Sequence, residues 1–324
     1  MARRARDRIA TIEKQETHMQ AKEYTIGRTK VVLPPDHALD RYQAKWQRYD
    51  RALGEIARLV WQKYPGCAAV DIGANVGDSA ALINTYCDMP TLCIEGGAEY
   101  LPFLRENARR IGAHIAVETV FVGDSTSANV YALQSTEAGT AKLVAGTDEN
   151  GAITVKRLDE LLAGVPGFAR PRLIKIDTDG FDFQIIMSSA ALLADLKPVL
   201  YYEYAPFEQP NGVADGLSSF QSLLESGYRH FIVYDNFGHY LIHLGAEHVA
   251  QFIDLNAFLC SNRRNGVAVP YLDICAMTSE DRDLFEALRA FELAPFFGAP
   301  PAGGAPPARE QTTTVGGRFD AGKR

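Results

Sequence analysis

The sequence predicts a Rossmann-like α/β fold: a seven-stranded, mostly parallel sheet with helices on both faces, plus N-terminal and C-terminal extensions. Three observations predict it. Five short apolar runs, "CAAVDI", "TLCIE", "IAVETVFV", "RLIKID" and "PVLYYEY", alternate with amphipathic segments, the pattern of parallel strands joined by crossover helices. The first run leads directly into a glycine-rich junction, "DIGANVGDSA", at the start of a helical stretch. With 47% apolar and 23% charged residues, the 324-residue chain can bury a large core, and one main domain with additions accounts for its length.

The elements follow in order. Residues 1–20 are basic at first but carry Asp7, Glu13 and Glu16, and read as a flexible or helical arm; they lack the apolar stretch of a secretory signal, and no later run reaches membrane-spanning length. A cytoplasmic location is expected. Residues 21–66 form an extension with a strand-like "YTI", a Pro34-Pro35 turn, and a helix that aligns Leu53, Ile56, Leu59 and Val60. Its segment "LPPDHALDRYQ", with His37, is placed as a lid.

Residues 67–245 form the core. "DSAALINTYC" is a helix after the first strand, and Leu101, Leu104, Ala108 and Ile111 share a stripe after the second. Residues 129–155 show period-two stretches broken by Gly, Thr and Asp, an inserted hairpin or edge strands. "LDELLAG" is a short helix before the fourth strand, and one helix after it aligns Phe183, Ile186, Ala190 and Leu193. Following the fifth strand come a helix ending at Gly227 and a hairpin turning at Asp235–Gly238, which brings the strand count to seven. Residues 246–295 form a C-terminal extension packed on the core, with a helix, the strand "VPYLDICAM", and a helix whose first turn is acidic. Residues 296–324, rich in Pro, Gly, Ala and Thr, are expected to be disordered.

Charge and cysteine usage exclude some partners. A net charge of -7 argues against a nucleic-acid binder, whose affinity comes from Lys and Arg on phosphates. Five scattered cysteines without a Cys/His cluster read as buried thiols in a reducing compartment, not as a zinc site.

In an open parallel sheet, ligands bind beyond the carboxyl ends of the strands. Gly73 and Gly77 let the backbone turn and approach a ligand there, and the next helix offers unpaired N–H groups to an anion. The spacing D-x-G-x-x-x-G departs from the dinucleotide pattern G-x-G-x-x-G. An Asp beside the turn suits a ligand with an ammonium next to a carboxylate, such as the methionine part of S-adenosylmethionine. The expected cofactor loop is therefore Asp71, Gly73, Ala74, Asn75, Gly77 and Asp78. Glu95, followed by Gly96, ends the second strand where a carboxylate accepts from ribose hydroxyls, and Asp124 after the third is placed to reach the adenine amino group.

These stretches resemble the FkbM-type S-adenosylmethionine-dependent methyltransferases. The resemblance rests on "VDIGANVGDSA", "CIEGG", "VKRLDELL", "LIKIDTDGFD" and "VLYYEYAPF", and extends over residues 25–290. It implies a class I methyltransferase fold, one S-adenosylmethionine per domain, and O-methylation of a hydroxyl on a sugar, glycan, glycolipid or secondary metabolite. Two departures stand out. Gly96-Gly97 replaces the family's common Glu-Pro continuation, which would loosen the turn; Asp179 replaces a common Glu with a shorter carboxylate.

Methyl transfer to a hydroxyl calls for a general base or a metal beside the sulfonium. Asp177 and Glu203, ending the fourth and fifth strands, are the expected pair: either as base, or both as ligands of a divalent cation such as magnesium or manganese. Tyr201, Tyr202 and Tyr204 are either aromatic faces for the sulfonium or core packing. His239 and His243 are either a base or a solvated strand face. Two rival readings are a nicotinamide-dependent oxidoreductase, against which the glycine spacing speaks, and a non-catalytic cofactor-binding scaffold, against which the retained glycines speak.

Overall fold

The computed structural model describes residues 21–124, 131–135, 141–145, 155–209, 211–264 and 269–297. The expectations for the arm at 1–20, much of the 129–155 insertion and the tail beyond 297 lie outside the described residues. The extension opens with a hairpin, β1 (Lys22–Ile26) and β2 (Thr29–Leu33), and continues through α1 (Leu39–Lys45) and α2 (Arg51–Lys63). The core then alternates β3 (Ala69–Ile72), α3 (Asp78–Tyr86), β4 (Thr91–Ile94), α4 (Leu101–Ile111) and β5 (Ile115–Glu118).

The predicted third strand, "IAVETVFV", divides. Its first half is β5; its second, β6 (Phe121–Val122), leaves the main sheet and pairs in parallel with β9 (Val155–Lys156) across the insertion. Between them, β7 (Tyr131–Ser135) and β8 (Ala141–Ala145) pair antiparallel, the expected inserted hairpin. α5 (Leu158–Gly164) leads to β10 (Leu173–Ile176). The single helix expected next is two, α6 (Asp182–Ser188) and α7 (Ala190–Leu196): the N–H of Ser189 bonds to the carbonyls of both Ile185 and Ile186, which closes the first helix. β11 (Val199–Tyr204), α8 (Val213–Glu225), the hairpin of β12 (Tyr228–Asp235) and β13 (Tyr240–Gly245), α9 (Val249–Arg264), β14 (Leu272–Thr278) and α10 (Arg282–Phe297) complete the chain.

The main sheet has eight strands in the order β13-β12-β14-β11-β10-β3-β4-β5, five of them parallel, where seven were expected. The additional strand is β14, antiparallel to both β11 and β12. Its residues are nearly all buried, so it needs a neighbour on each side and cover on each face. That requirement takes it into the sheet, whereas the sequence reading had it in an extension packed outside.

Alternation along each strand serves two cores. Val70, Ile174 and Leu200 face α6, α8 and α9 in one cluster with Phe183, Phe220 and Phe252, while Ala69, Leu173 and Val199 face α2, α3 and α10 in another with Leu53, Ile56 and Leu288. Tyr202 and Tyr204 belong to the first cluster and are fully buried, so they are packing residues. Among the described residues no helix is long and apolar enough to cross a membrane.

Candidate active site

A cavity of about 280 Å³ opens where β3, β4, β10 and β11 end, roofed by the extension through His37, Tyr42, Tyr49 and Asp50. Its floor is the glycine loop. Gly73 has φ 79, and a Cβ there would stand 1.8 Å from the carbonyl oxygen of Asp177, so only glycine lets the loops after β3 and β10 touch. Asn75 (φ 47) and Gly77 (φ 83) are also left-handed.

Four N–H groups of this loop are spent inside the protein. Those of Gly73 and Ala74 both donate to the Ile94 carbonyl at 3.0 Å, that of Asn75 donates to Glu95 Oε2 at 2.8 Å, and that of Gly77 donates to the Ala74 carbonyl at 2.7 Å. Those four donors are therefore committed within the protein. The first turn of α3, where helix geometry leaves N–H groups without intrahelical partners, offers further donors, and Asp78 and Ser79 of that turn line the cavity. Gly73 and Asn75 also line it; Ala74 and Gly77 do not, and act by shaping the turn.

Glu95 ends β4 and lines the cavity together with Gly96. Its Oε1 accepts the Gly97 N–H at 2.5 Å, so one carboxylate ties its own turn to the glycine loop. Burial raises its pKa, and these N–H bonds oppose the rise. A Cβ on Gly96 would fall 2.4 Å from the ring of Phe121, so the Gly-Gly turn is packed and pinned rather than loosened. Phe121, Ile94 and Val122 supply an apolar wall beside it. Asp124 does not line the cavity, although it stands two residues past that wall.

Asp71 stands behind the cavity wall. Its register partner across β3 and β10 is Lys175, which puts both side chains on the same face of the sheet. The Lys175 ammonium stands 3.4 Å from Asp71 Oδ1 and 3.0 Å from Asp177 Oδ2. Asp71 is fully buried and absent from the cavity wall, while Lys175, 6% exposed, reaches it. Burial works against the Lys175 charge, yet Asp177 and Asp71 outweigh it and hold the ammonium protonated. Asp71 therefore anchors a lysine, and the carboxylate next to the loop that faces the cavity is Asp78.

Asp177 and Glu203 line the same cavity, as expected for strand-end residues. Burial pushes the Glu203 carboxyl well up, with Asp177, Asp182 and Asp179 adding to the effect. Behind them Asp182, fully buried, accepts the N–H groups of Thr178 (3.0 Å) and Gly180 (3.3 Å) and so fixes the loop that carries Asp177. Among the described residues no group of three or more His, Cys, Asp or Glu converges to hold a metal. His239 bonds Asp235 and His243 lies against Tyr240, Arg289 and Phe285; neither lines the cavity.

Several wall residues escaped the sequence reading. Lys175 was visible as a lone lysine in the apolar run "LIKID", and Asp273 as a lone aspartate in "YLDIC". Asp50 was hidden by its position before a helix, where an aspartate is ordinary. His37, assigned to the lid, touches the cofactor loop: its Nδ1 accepts the Leu39 N–H at 3.3 Å, which leaves Nε2–H to donate to Asn75 Oδ1 at 3.3 Å.

The Methyltransferase FkbM domain matches residues 71–238, just over half of the chain. The chain belongs to the FkbM methyltransferase family. The matched span holds the glycine loop, Glu95, Lys175, Asp177 and Glu203; the FkbM core therefore carries the strand-end residues, and the flanks outside it carry His37, Asp50 and Asp273. Among solved structures, the FkbM methyltransferase of Methylobacillus flagellatus KT is 19% identical, with 51% of this chain and 39% of that one covered at a TM-score of 0.36. This chain thus spans about two fifths of that protein's length. The precorrin-6y C5,15-methyltransferase of Geobacter metallireducens GS-15 is 12% identical (65% and 81% covered, TM-score 0.34). The Pyrococcus abyssi tRNA (uracil-54, C5)-methyltransferase, in complex with S-adenosyl-L-homocysteine, is 10% identical (80% and 44% covered, TM-score 0.34). No curated protein matches.

Proposed function

We propose that this methyltransferase uses S-adenosylmethionine to O-methylate a hydroxyl of a sugar, glycan, glycolipid or secondary metabolite. The observation that carries the reading is the convergence of one cavity on three parts: a left-handed glycine loop with a helix start, a carboxylate ending the second parallel strand, and a carboxylate pair ending the fourth and fifth. The residues present fit the donor. The first turn of α3 suits its carboxylate and Asp78 its ammonium, Glu95 keeps lone pairs for ribose hydroxyls, and Phe121 with Ile94 gives an apolar surface for adenine. When bound, the donor supplies an electrophilic methyl carbon on a sulfonium.

The chain's own part is to position the acceptor, exclude water and take a proton. Asp177, held at 3.0 Å by Lys175, is fixed in orientation, and Glu203 stands beside it with a carboxyl driven up by burial and by its acidic neighbours. A carboxylate shifted upward is a stronger base toward a hydroxyl than an ordinary one. The roof of Tyr42, Tyr49 and His37 shields the reacting atoms.

Calorimetric titration of the purified protein with S-adenosylhomocysteine and with NADH tests the donor: the thioether binds and the nicotinamide does not. Tight NADH binding without thioether binding would replace this reading with an oxidoreductase. Asp177→Asn and Glu203→Gln are expected to keep thioether affinity and lose transfer; if both retain full turnover, the acceptor pair is misassigned.

A further inference from the structure

Asp50 is the wall residue that neither the glycine loop nor the strand ends explain. It immediately precedes α2, where an aspartate ordinarily caps the helix by accepting an N–H from the first turn. Its side chain makes no such bond; only its backbone carbonyl takes part, accepting the Leu53 N–H at 3.0 Å. The residue is left-handed (φ 57, ψ -2), a conformation that strains a residue other than glycine. The strain is braced from outside. Gly238, in the turn between β12 and β13, lies so close that a Cβ would stand 2.0 Å from the Arg48 carbonyl oxygen, and Trp46 packs on Phe237 with ring centroids 4.6 Å apart. A forgone cap, a strained backbone and an external brace have one common result: Asp50 stands in the cavity wall.

Its surroundings favour a cation. Burial is the main cause lifting its pKa to about 8, and Asp78, Asp177 and Asp71 add to the lift while Lys175 opposes it. Asp78 belongs to the glycine-loop side of the cavity, Asp177 to the acceptor side, and Asp273, whose own carboxyl is pushed up first by burial and then by Asp50, flanks the latter. Asp50 is thus in electrostatic reach of both sides, and between those sides a transferable methyl has to lie.

We propose that Asp50 recognises the positive sulfur of S-adenosylmethionine, so that the cavity holds the methyl donor more tightly than its neutral-sulfur product. The proposal rests on reading the cavity as an S-adenosylmethionine site. It makes the extension a discriminator between donor and product, beyond its place as a cover.

The test uses the full chain and Asp50→Asn, since asparagine tolerates the left-handed region and keeps the shape of the side chain. Each is titrated calorimetrically with S-adenosylmethionine and with S-adenosylhomocysteine, which share the amino-acid head and differ at the sulfur. The variant is expected to lose about tenfold in affinity for the sulfonium, the effect of deleting one charge-assisted contact, and less than about twofold for the thioether. Equal losses would put Asp50 on the shared head, and no loss would take it out of the site; either outcome overturns the proposal. Failure of the unaltered protein to bind either compound would instead sink the underlying cofactor reading. A second readout needs no variant: repeated near neutral pH in buffers of different ionisation enthalpy, sulfonium binding to the unaltered protein releases a proton as Asp50 ionises, and thioether binding does not. Identical proton release for both ligands would also overturn it.

Discussion

Replacing Gly73 by alanine probes the contact on which the cavity floor depends. A Cβ at this position lies 1.8 Å from the Asp177 carbonyl oxygen, against 3.4 Å where ordinary contact begins. The loops after β3 and β10 must therefore separate by roughly 1.6 Å, far up the repulsive wall of any atom pair. Holding alanine at φ 79 adds about 1–2 kcal/mol on its own. Together the two effects are expected to cost about 3–5 kcal/mol, in the range that only named core or backbone lesions reach. Gly66→Ala is the internal control: it has φ 80 but nothing within 4 Å, so it reports the backbone cost without the clash. Urea unfolding of both variants gives the difference, and calorimetry with S-adenosylhomocysteine is expected to show weaker binding for Gly73→Ala than for Gly66→Ala, because only the former displaces the cavity floor. If Gly73→Ala is no more destabilising than Gly66→Ala, the two loops do not touch and the account of the floor fails.

Three further outcomes are expected. Lys175→Met strands the buried carboxylate of Asp71 and should cost about 3–5 kcal/mol in urea unfolding, with Lys175→Met/Asp71→Asn recovering most of it; equal costs would show that the pair is not coupled. Because the Asp50 pKa is raised to about 8, its contribution to stability is present below the unfolded value of 3.8 and lost as pH climbs through 8. Asn cannot ionise, so scanning calorimetry should show the Tm of Asp50→Asn gaining on the unaltered protein between about pH 4 and about pH 8 and levelling above that, and a pH-independent gap would contradict the burial of that carboxyl. Asp281, fully buried against Tyr64 (2.6 Å), Lys63 (3.0 Å) and Arg172 (3.7 Å), sits at the opposite end of β10 from the cavity. Asp281→Ala should lose about 3–5 kcal/mol of stability with thioether affinity unchanged, and a fall in affinity would mean that the two ends of the sheet communicate.

The parallel half of the sheet was legible because each strand is a continuous apolar run bounded by turns, and because the glycines sit where two backbones touch. Glu95, Asp177 and Glu203 were legible for the same reason: a strand end is a position that local sequence defines. β14 was not, since nothing in "LDICAMT" states which neighbours it will have; that is decided by the burial of both its faces. The surroundings of Asp71 were not legible, because its distance from the glycines says nothing of the lysine lying across the next strand. Asp50 looked like a helix cap, and only the packing of a turn nearly two hundred residues away, at Gly238, turns it to another use.

The strand order also bears on how the chain is made. β11 and β12 emerge from the ribosome well before β14, yet β14 is the strand that separates them. Until residues 272–278 are released, two largely buried ribbons have unpaired edges facing each other across a gap one strand wide. They are free to pair wrongly with one another or with a neighbouring nascent chain. Termination just short of residue 272 would leave that gap for good, and the expected product is insoluble aggregate, even though every residue of the shared methyltransferase stretch would be present.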